Sequence, residues 1–229
     1  MATKQCLSPA FFQFFRELAP NNHKDWFDSN RQRYEKDVKI PFENLVTALI
    51  EARTKTDPSM AYVLAKDCIF RINRDVRFSK DKSPYKLNRS AIIGPHGRKD
   101  MGPSGIYIEA GPETCALYAG SYMPEKPLLA AIRNKIMAES ARWKAIVSDK
   151  AFVKTFGGVR GEQQTRVAAE WKEASIQLPV LKNTQFYIMA ELSESEFTQA
   201  GIAEKLLKLW DTAGPYIAFL TEAAGSVDS

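Results

Sequence analysis

Residues 105–123 read GIYIEAGPETCALYAGSYM. Two runs, 105–110 and 115–123, alternate apolar and polar side chains, the period of a half-buried strand. Gly111-Pro112 breaks them apart, and so short a link joins antiparallel neighbours, because a parallel crossover needs a dozen residues or more. The expectation is a hairpin, and therefore an antiparallel sheet. The same reading extends upstream to CIFRI at 68–72 and KLNRSAII at 86–93, and downstream to NTQFYIMAEL at 183–192. Ser83-Pro84 and Gly94-Pro95-His96-Gly97 supply the turns between them.

Outside this block the period changes to that of a helix. Ser8-Pro9 opens one helix, with Phe11, Phe12, Phe14, Phe15 and Leu18 at helical spacing and Pro20 as its stop. Asn22 is placed to cap a second, carrying Trp26, Phe27 and Tyr34, with Asp25 in its first turn. Pro41 begins a third, with Phe42, Leu45, Val46, Leu49 and Ile50 on one face. Residues 124–158 read as helical up to Gly157-Gly158. Ser193 and Glu196 have capping-box spacing before a last helical region, 196–223, expected to break at Gly214-Pro215. No repeat or low-complexity linker separates two cores. The fold expected is a single α+β domain over 1–229: helical at 1–55, strand-rich at 68–123, helical at 124–158, a strand at 183–192 and helical at 196–223.

Composition excludes several classes. The 229 residues hold 45% hydrophobic and 26% charged side chains, enough for a packed core. No run of 18 apolar residues exists, and the start shows no apolar segment of signal-peptide type, so no membrane partner and a cytoplasmic place are expected. Cys6, Cys68 and Cys115 are scattered, and His23 and His96 are isolated, which supports neither a disulfide framework nor a metal site. There is no phosphate-binding Walker loop, no dinucleotide fingerprint and no nucleophilic triad, so no cofactor is expected.

Charge is the strongest local signal. The net charge is +5, yet residues 71–99 contain nine Lys or Arg against Asp75 and Asp81, a local +7. Such asymmetry points to an anionic partner. Arg71, Arg74, Arg77, Lys80 and Lys86 are the candidate ligand-binding cations, because guanidinium forks match phosphate and carboxylate. The competing reading is a solvated loop in which Arg74 or Arg77 pairs with Asp75 or Asp81. Tyr107 shares a strand face with Glu109, and Tyr118, Gly120 and Tyr122 share another, so Tyr107 and Tyr122 are candidates to stack on a ring, with core packing as the alternative. Asn22 and Lys24 join this site if their helix start packs beside the basic loop. Gly94–Lys99 reads as a hairpin turn or a basic flap. Arg133 sits at the edge of an apolar helical stripe, where it snorkels or reaches the sheet.

Three stretches carry a resemblance: FFRELAPNNHKDWFDSNRQRYE at 14–35, FRINRDVRFSKDKSPYK at 70–86, and the sheet-then-Pro-then-helix stretch 105–136. The chain resembles the bacterial and fungal family called domain of unknown function 2461. The middle stretch is the most specific. Beyond about 160 the likeness weakens, and the His-bearing segment often found there is replaced by TRVAAEWKEASIQLPVLKNTQFYIM. The resemblance implies a fold but brings no reaction.

Function therefore rests on the residues. The first expectation is an anionic small molecule held by Arg71, Arg74, Arg77, Lys80 and Lys86 with Tyr107 and Tyr122. The second is nucleic acid, with Lys82, Arg89, Arg98 and Lys99 extending a basic stripe. The third is an enzyme on an anionic substrate, with Asp75 or Glu109 as acid or base; the arginines around Asp75 favour an orienting role for it. The fourth is architecture alone, with Arg71 and Arg77 bonded to buried carbonyls. Oligomeric state is left open.

Overall fold

The structure, a computed structural model, describes residues 6–99 and 102–227. It is α+β. Four strands form one antiparallel sheet in the order β1 (Arg89–Ile93), β2 (Ile106–Ala110), β3 (Cys115–Ser121), β4 (Phe186–Glu191). The chain divides into two compact units: Met1–Lys99 with Tyr107–Leu117 and Glu191–Lys208, and Asp100–Ile106 with Tyr118–Ala190 and Leu209–Ser229.

In the first unit, Pro9–Leu18 is helical and buries all four of its phenylalanines and Leu18. Each aromatic ring carries a large apolar area, and Phe11, Phe12, Phe14 and Phe15 meet one another edge to face, the arrangement their quadrupoles prefer. Lys24–Ser29 follows, its cap being His23, whose ring accepts from the Trp26 amide. Asn22, expected as that cap, is one residue too early and is used elsewhere. Ile40–Thr54 packs Phe42, Leu45, Val46, Leu49 and Ile50 inward.

The strand expected at 68–72 does not form. Ala65–Cys68 is a helical turn, and the following segment makes two isolated bridges, Ile69 to Ala91 on β1 and Asn73 to Tyr85 upstream of that strand. Between those bridges one side advances four residues and the other six, so no ladder can stay in register. What the apolar alternation of 68–72 marks is burial of Cys68 and Ile72, not strand pairing. On β2, Ile106, Ile108 and Ala110 are buried while Tyr107 and Glu109 lie half-buried on the other face.

In the second unit, Lys126–Ala138 and Ser140–Val147 are followed by Lys150–Phe156, capped by Asp149 and ended by Gly157 at φ +71. Trp143 packs against Phe186, Tyr216 and Phe219. Gly120 has φ +109, and a Cβ there would stand 2.3 Å from the Phe186 carbonyl oxygen, so no other residue fits. The Ser193–Glu196 capping box forms with both of its arms. The last helix, Ile202–Gly225, runs unbroken through Pro215, correcting the expected interruption. Tyr216, Phe219 and Leu220 are buried just beyond it, and that packing outweighs the proline's local cost of about 3 kcal/mol.

Candidate functional site

The basic loop is braced from within. Arg77 forks onto Asp75, with Nε donating to Oδ1 at 3.0 Å and Nη2 to Oδ2 at 2.7 Å. Arg74 pairs with Asp81 and donates to the Ser83 carbonyl at 3.2 Å, while Lys82 Nζ donates to the Val76 carbonyl at 2.9 Å. Two of the expected ligand-binding arginines are thus committed to loop carboxylates. Arg77 holds the Asp75 carboxyl below the usual carboxylate range, and Ser83 and Arg74 do the same for Asp81. A carboxylate so stabilised is a poor proton acceptor, which counts against Asp75 as a base.

The foot of the loop is fixed by Asn22. Its Nδ2 donates to the Tyr85 carbonyl at 2.9 Å and its Oδ1 accepts from the Tyr85 amide at 3.1 Å. The Tyr85 ring stacks on Phe27 at 4.1 Å. The residue just before the helix cap, Asn22, does pack beside the loop, but Lys24 turns to Asp28.

Behind the loop lies a small mixed face. Glu109 accepts from Tyr107 Oη at 2.7 Å on one oxygen and from Asn88 Nδ2 at 2.9 Å on the other. Phe70 meets Tyr107 edge to face at 6.3 Å, and Lys86 Nζ stands 5.1 Å above the Phe70 ring. Lys86 is half-buried and its ammonium has no hydrogen bond or ion pair among the described residues. Burial pushes it below the usual lysine range, Arg89 and Arg71 push the same way, and Glu109 opposes them. Arg89 is only 6% exposed, lies over the Phe42 ring at 5.8 Å, and is lowered by burial. Arg71 and Lys80 are exposed and form no ion pair among the described residues. The structure therefore brings Lys86 and Tyr107 together, with Arg71 in electrostatic reach. Tyr122 belongs to the second unit, 58% exposed and packed at 5.4 Å on Tyr187.

Residues 10–219 match the model of a family described as conserved hypothetical protein (DUF2461). The chain belongs to this family. The match continues well past residue 160, where the likeness visible in the sequence alone weakens. No curated protein and no solved structure matches the chain.

The other expected features of this DUF2461 chain take structural places. Arg98 donates to the Lys66 and Ile69 carbonyls, pinning the 94–99 turn, and a Cβ at Gly97 would stand 2.7 Å from the Asp67 carbonyl oxygen. Arg133, expected at the edge of its stripe, is buried: it donates to the Asn183 carbonyl at 2.9 Å and lies 4.9 Å from the Trp171 ring. Burial raises the Cys68 thiol to about 11 and also raises Cys115, which disfavours the nucleophilic thiolate. No group of His, Cys, Asp or Glu that could hold a metal occurs among the described residues, and no described helix is long and apolar enough to cross a membrane. Sequence reasoning missed Phe70 and Asn88 as members of the face, and Arg89, expected in a basic stripe, is instead buried over Phe42. The alternation that set Tyr107 and Glu109 on one side was readable; the cross-strand register that brings Asn88 to Glu109 was not.

Proposed function

We propose that this protein binds a small molecule bearing a phosphate or carboxylate at the face formed by Lys86, Arg71, Tyr107 and Phe70. The observation that carries this reading is Lys86. A half-buried ammonium with no hydrogen bond or ion pair among the described residues, and opposed by the charges of Arg89 and Arg71, is a state that an anion relieves. Arg71 supplies an exposed fork, and the rings of Phe70 and Tyr107 give a partly apolar floor. Arg74 and Arg77 shape the loop instead of gripping the ligand. Glu109, already bonded to Tyr107 and Asn88, orients the ring edge and leaves lone pairs for a ligand hydroxyl.

Calorimetric titration with phosphate, sulfate, citrate and sugar phosphates tests it. Saturable binding that weakens on the order of tenfold or more in Lys86→Ala supports the site. Equal binding by the variant, or none by the wild type, removes it.

A second reading is favoured by Phe78, which is 95% exposed at the tip of the basic loop beside Lys80 and Lys82. An exposed ring among cations, with the Arg77 guanidinium 5.8 Å from its centre, suits stacking against single-stranded nucleic acid. Its mark is affinity that grows with oligonucleotide length, falls with salt, and drops in Phe78→Ala while Lys86→Ala has little effect.

A further inference from the structure

We propose that the second unit carries a separate stacking site, made by Tyr118, Tyr122 and Tyr187 with Arg160 at its edge, for a planar ring that bears a phosphate, the chemistry of a nucleotide. The site shares no residue with the Lys86 face and does not rest on that reading.

Two strands build the aromatic part. Tyr118 and Gly120 on β3 and Tyr122 just past its end alternate with the buried Ala119 and Ser121, so they lie on the opposite side of the sheet. On β4 the same alternation buries Phe186, Ile188 and Ala190 and leaves Tyr187 and Met189 partly exposed. The rings then meet across the strands. Tyr187 packs on Tyr122 edge to face at 5.4 Å and on Tyr118 at 6.4 Å. Gly120 puts no side chain between Tyr118 and Tyr122, so the Tyr187 ring reaches both. Tyr122 is 58% exposed, and Met123 beside it 73%. Tyrosines that hold one another in place offer a flat apolar area at little further ordering cost, and such a surface stacks on rings.

Arg160 supplies the charge. Its amide donates to the Tyr187 carbonyl at 2.7 Å, and its carbonyl accepts from the Tyr187 amide at 3.2 Å. Antiparallel residues paired in this way stand directly opposite and share a face, which sets Arg160 on the tyrosine side. Gly161 permits the approach, since a Cβ there would stand 2.1 Å from the Gln185 carbonyl oxygen. The Arg160 side chain is exposed, forms no ion pair among the described residues, and donates to the Met189 thioether at 3.5 Å. A thioether is a weak acceptor, so the fork stays available for a phosphate.

That pairing selects the ligand. A neutral sugar would use the tyrosines and leave the cation idle. An inorganic anion would use the cation and leave the rings idle. A nucleobase with its phosphate uses both, whether it comes as a free nucleotide or as part of a single strand.

Equilibrium titrations of the whole protein with adenosine monophosphate, adenosine, ribose 5-phosphate and oligoadenylate test the site. They are run on wild type and on Lys86→Ala, so that an anion seated at the Lys86 face is not counted. The expected result is saturable binding of adenosine monophosphate in both proteins, with adenosine and ribose 5-phosphate each weaker by about tenfold or more. Tyr122→Leu should weaken adenosine monophosphate by about tenfold, and Tyr122→Phe should bind as wild type does, because the ring stays. Arg160→Gln should weaken adenosine monophosphate and leave adenosine unchanged. Affinity that grows with oligoadenylate length and falls in Tyr122→Leu makes the source a single strand, whereas equal affinity for monomer and oligomer makes it a free nucleotide. No saturable binding, equal affinity in Tyr122→Leu, or ribose 5-phosphate binding Lys86→Ala as tightly as adenosine monophosphate does overturns the site and leaves the tyrosines as packing. The ligand series needs no substitution on the tyrosine face, so it decides the matter even if Tyr122→Leu folds poorly.

Discussion

A single side chain, Lys86, concentrates the functional argument. Its ammonium is lowered from the ordinary lysine value by burial and by Arg89 and Arg71. In the unfolded chain it titrates normally, so between its folded and unfolded values the unfolded state binds more protons. Stability therefore rises with pH through that window, and the penalty is fully present below it. Lys86→Met removes the charge and keeps the stem, so at neutral pH it should raise the melting temperature by a few degrees while anion binding is lost. The advantage should shrink as pH approaches the usual lysine value of about 10.4. A variant less stable than wild type across the range would mean that the ammonium is satisfied in a way the geometry does not reveal. Glu196 shows the opposite sign. Lys205 and the Ser193 cap depress its carboxyl to about 2. That contribution is present above the ordinary glutamate value and is lost as pH falls toward 2. Glu196→Gln should therefore lower stability slightly above pH about 5, converge with wild type as pH falls toward 2, and so flatten the acid limb of a pH–stability curve.

Among the elements, the loop 71–86 and the last helix make separable predictions. The Asn22 amide anchors the loop's foot, donating to the Tyr85 carbonyl and accepting from the Tyr85 N–H. Asn22→Ala leaves a buried donor and acceptor unpaired and should cost about 1–3 kcal/mol by chemical denaturation, with increased amide exchange at Tyr85. Unchanged exchange there would show that the stacked Phe27–Tyr85 pair holds the loop unaided. Pro215 is exposed on an otherwise regular helix. Pro215→Ala should stabilise by about 1–3 kcal/mol, as it restores a donor and removes a ring from the preceding turn. These elements also mark what a sequence can give. The helices at 9–18 and 40–54 and the strands β1 to β4 were legible because their apolar periods are clean. The segment 68–72 misled because alternation records burial on one side, and burial by a bridge looks the same as burial by a ladder. Pro215 misled because a local penalty says nothing of the packing of Tyr216 and Phe219 that opposes it.

For the molecule as a whole, the local +7 of residues 71–99 was visible, but its meaning was not. Charge counting treats every cation alike. The fold sorts them: Arg74 and Arg77 are neutralised by Asp81 and Asp75, Arg98 caps carbonyls, Arg89 is buried, and Lys86 is left half-buried with no acceptor among the described residues. That sorting depends on which side chains meet across turns and strands, which a composition cannot carry. It also fixes the most direct test of the central claim. Thermal-shift titrations with phosphate and citrate should be run on wild type, Arg74→Ala and Lys86→Ala. A saturable rise in melting temperature kept in Arg74→Ala and lost in Lys86→Ala is the result this account predicts. A rise that survives in Lys86→Ala and disappears in Arg74→Ala would place the anion on the loop and contradict it.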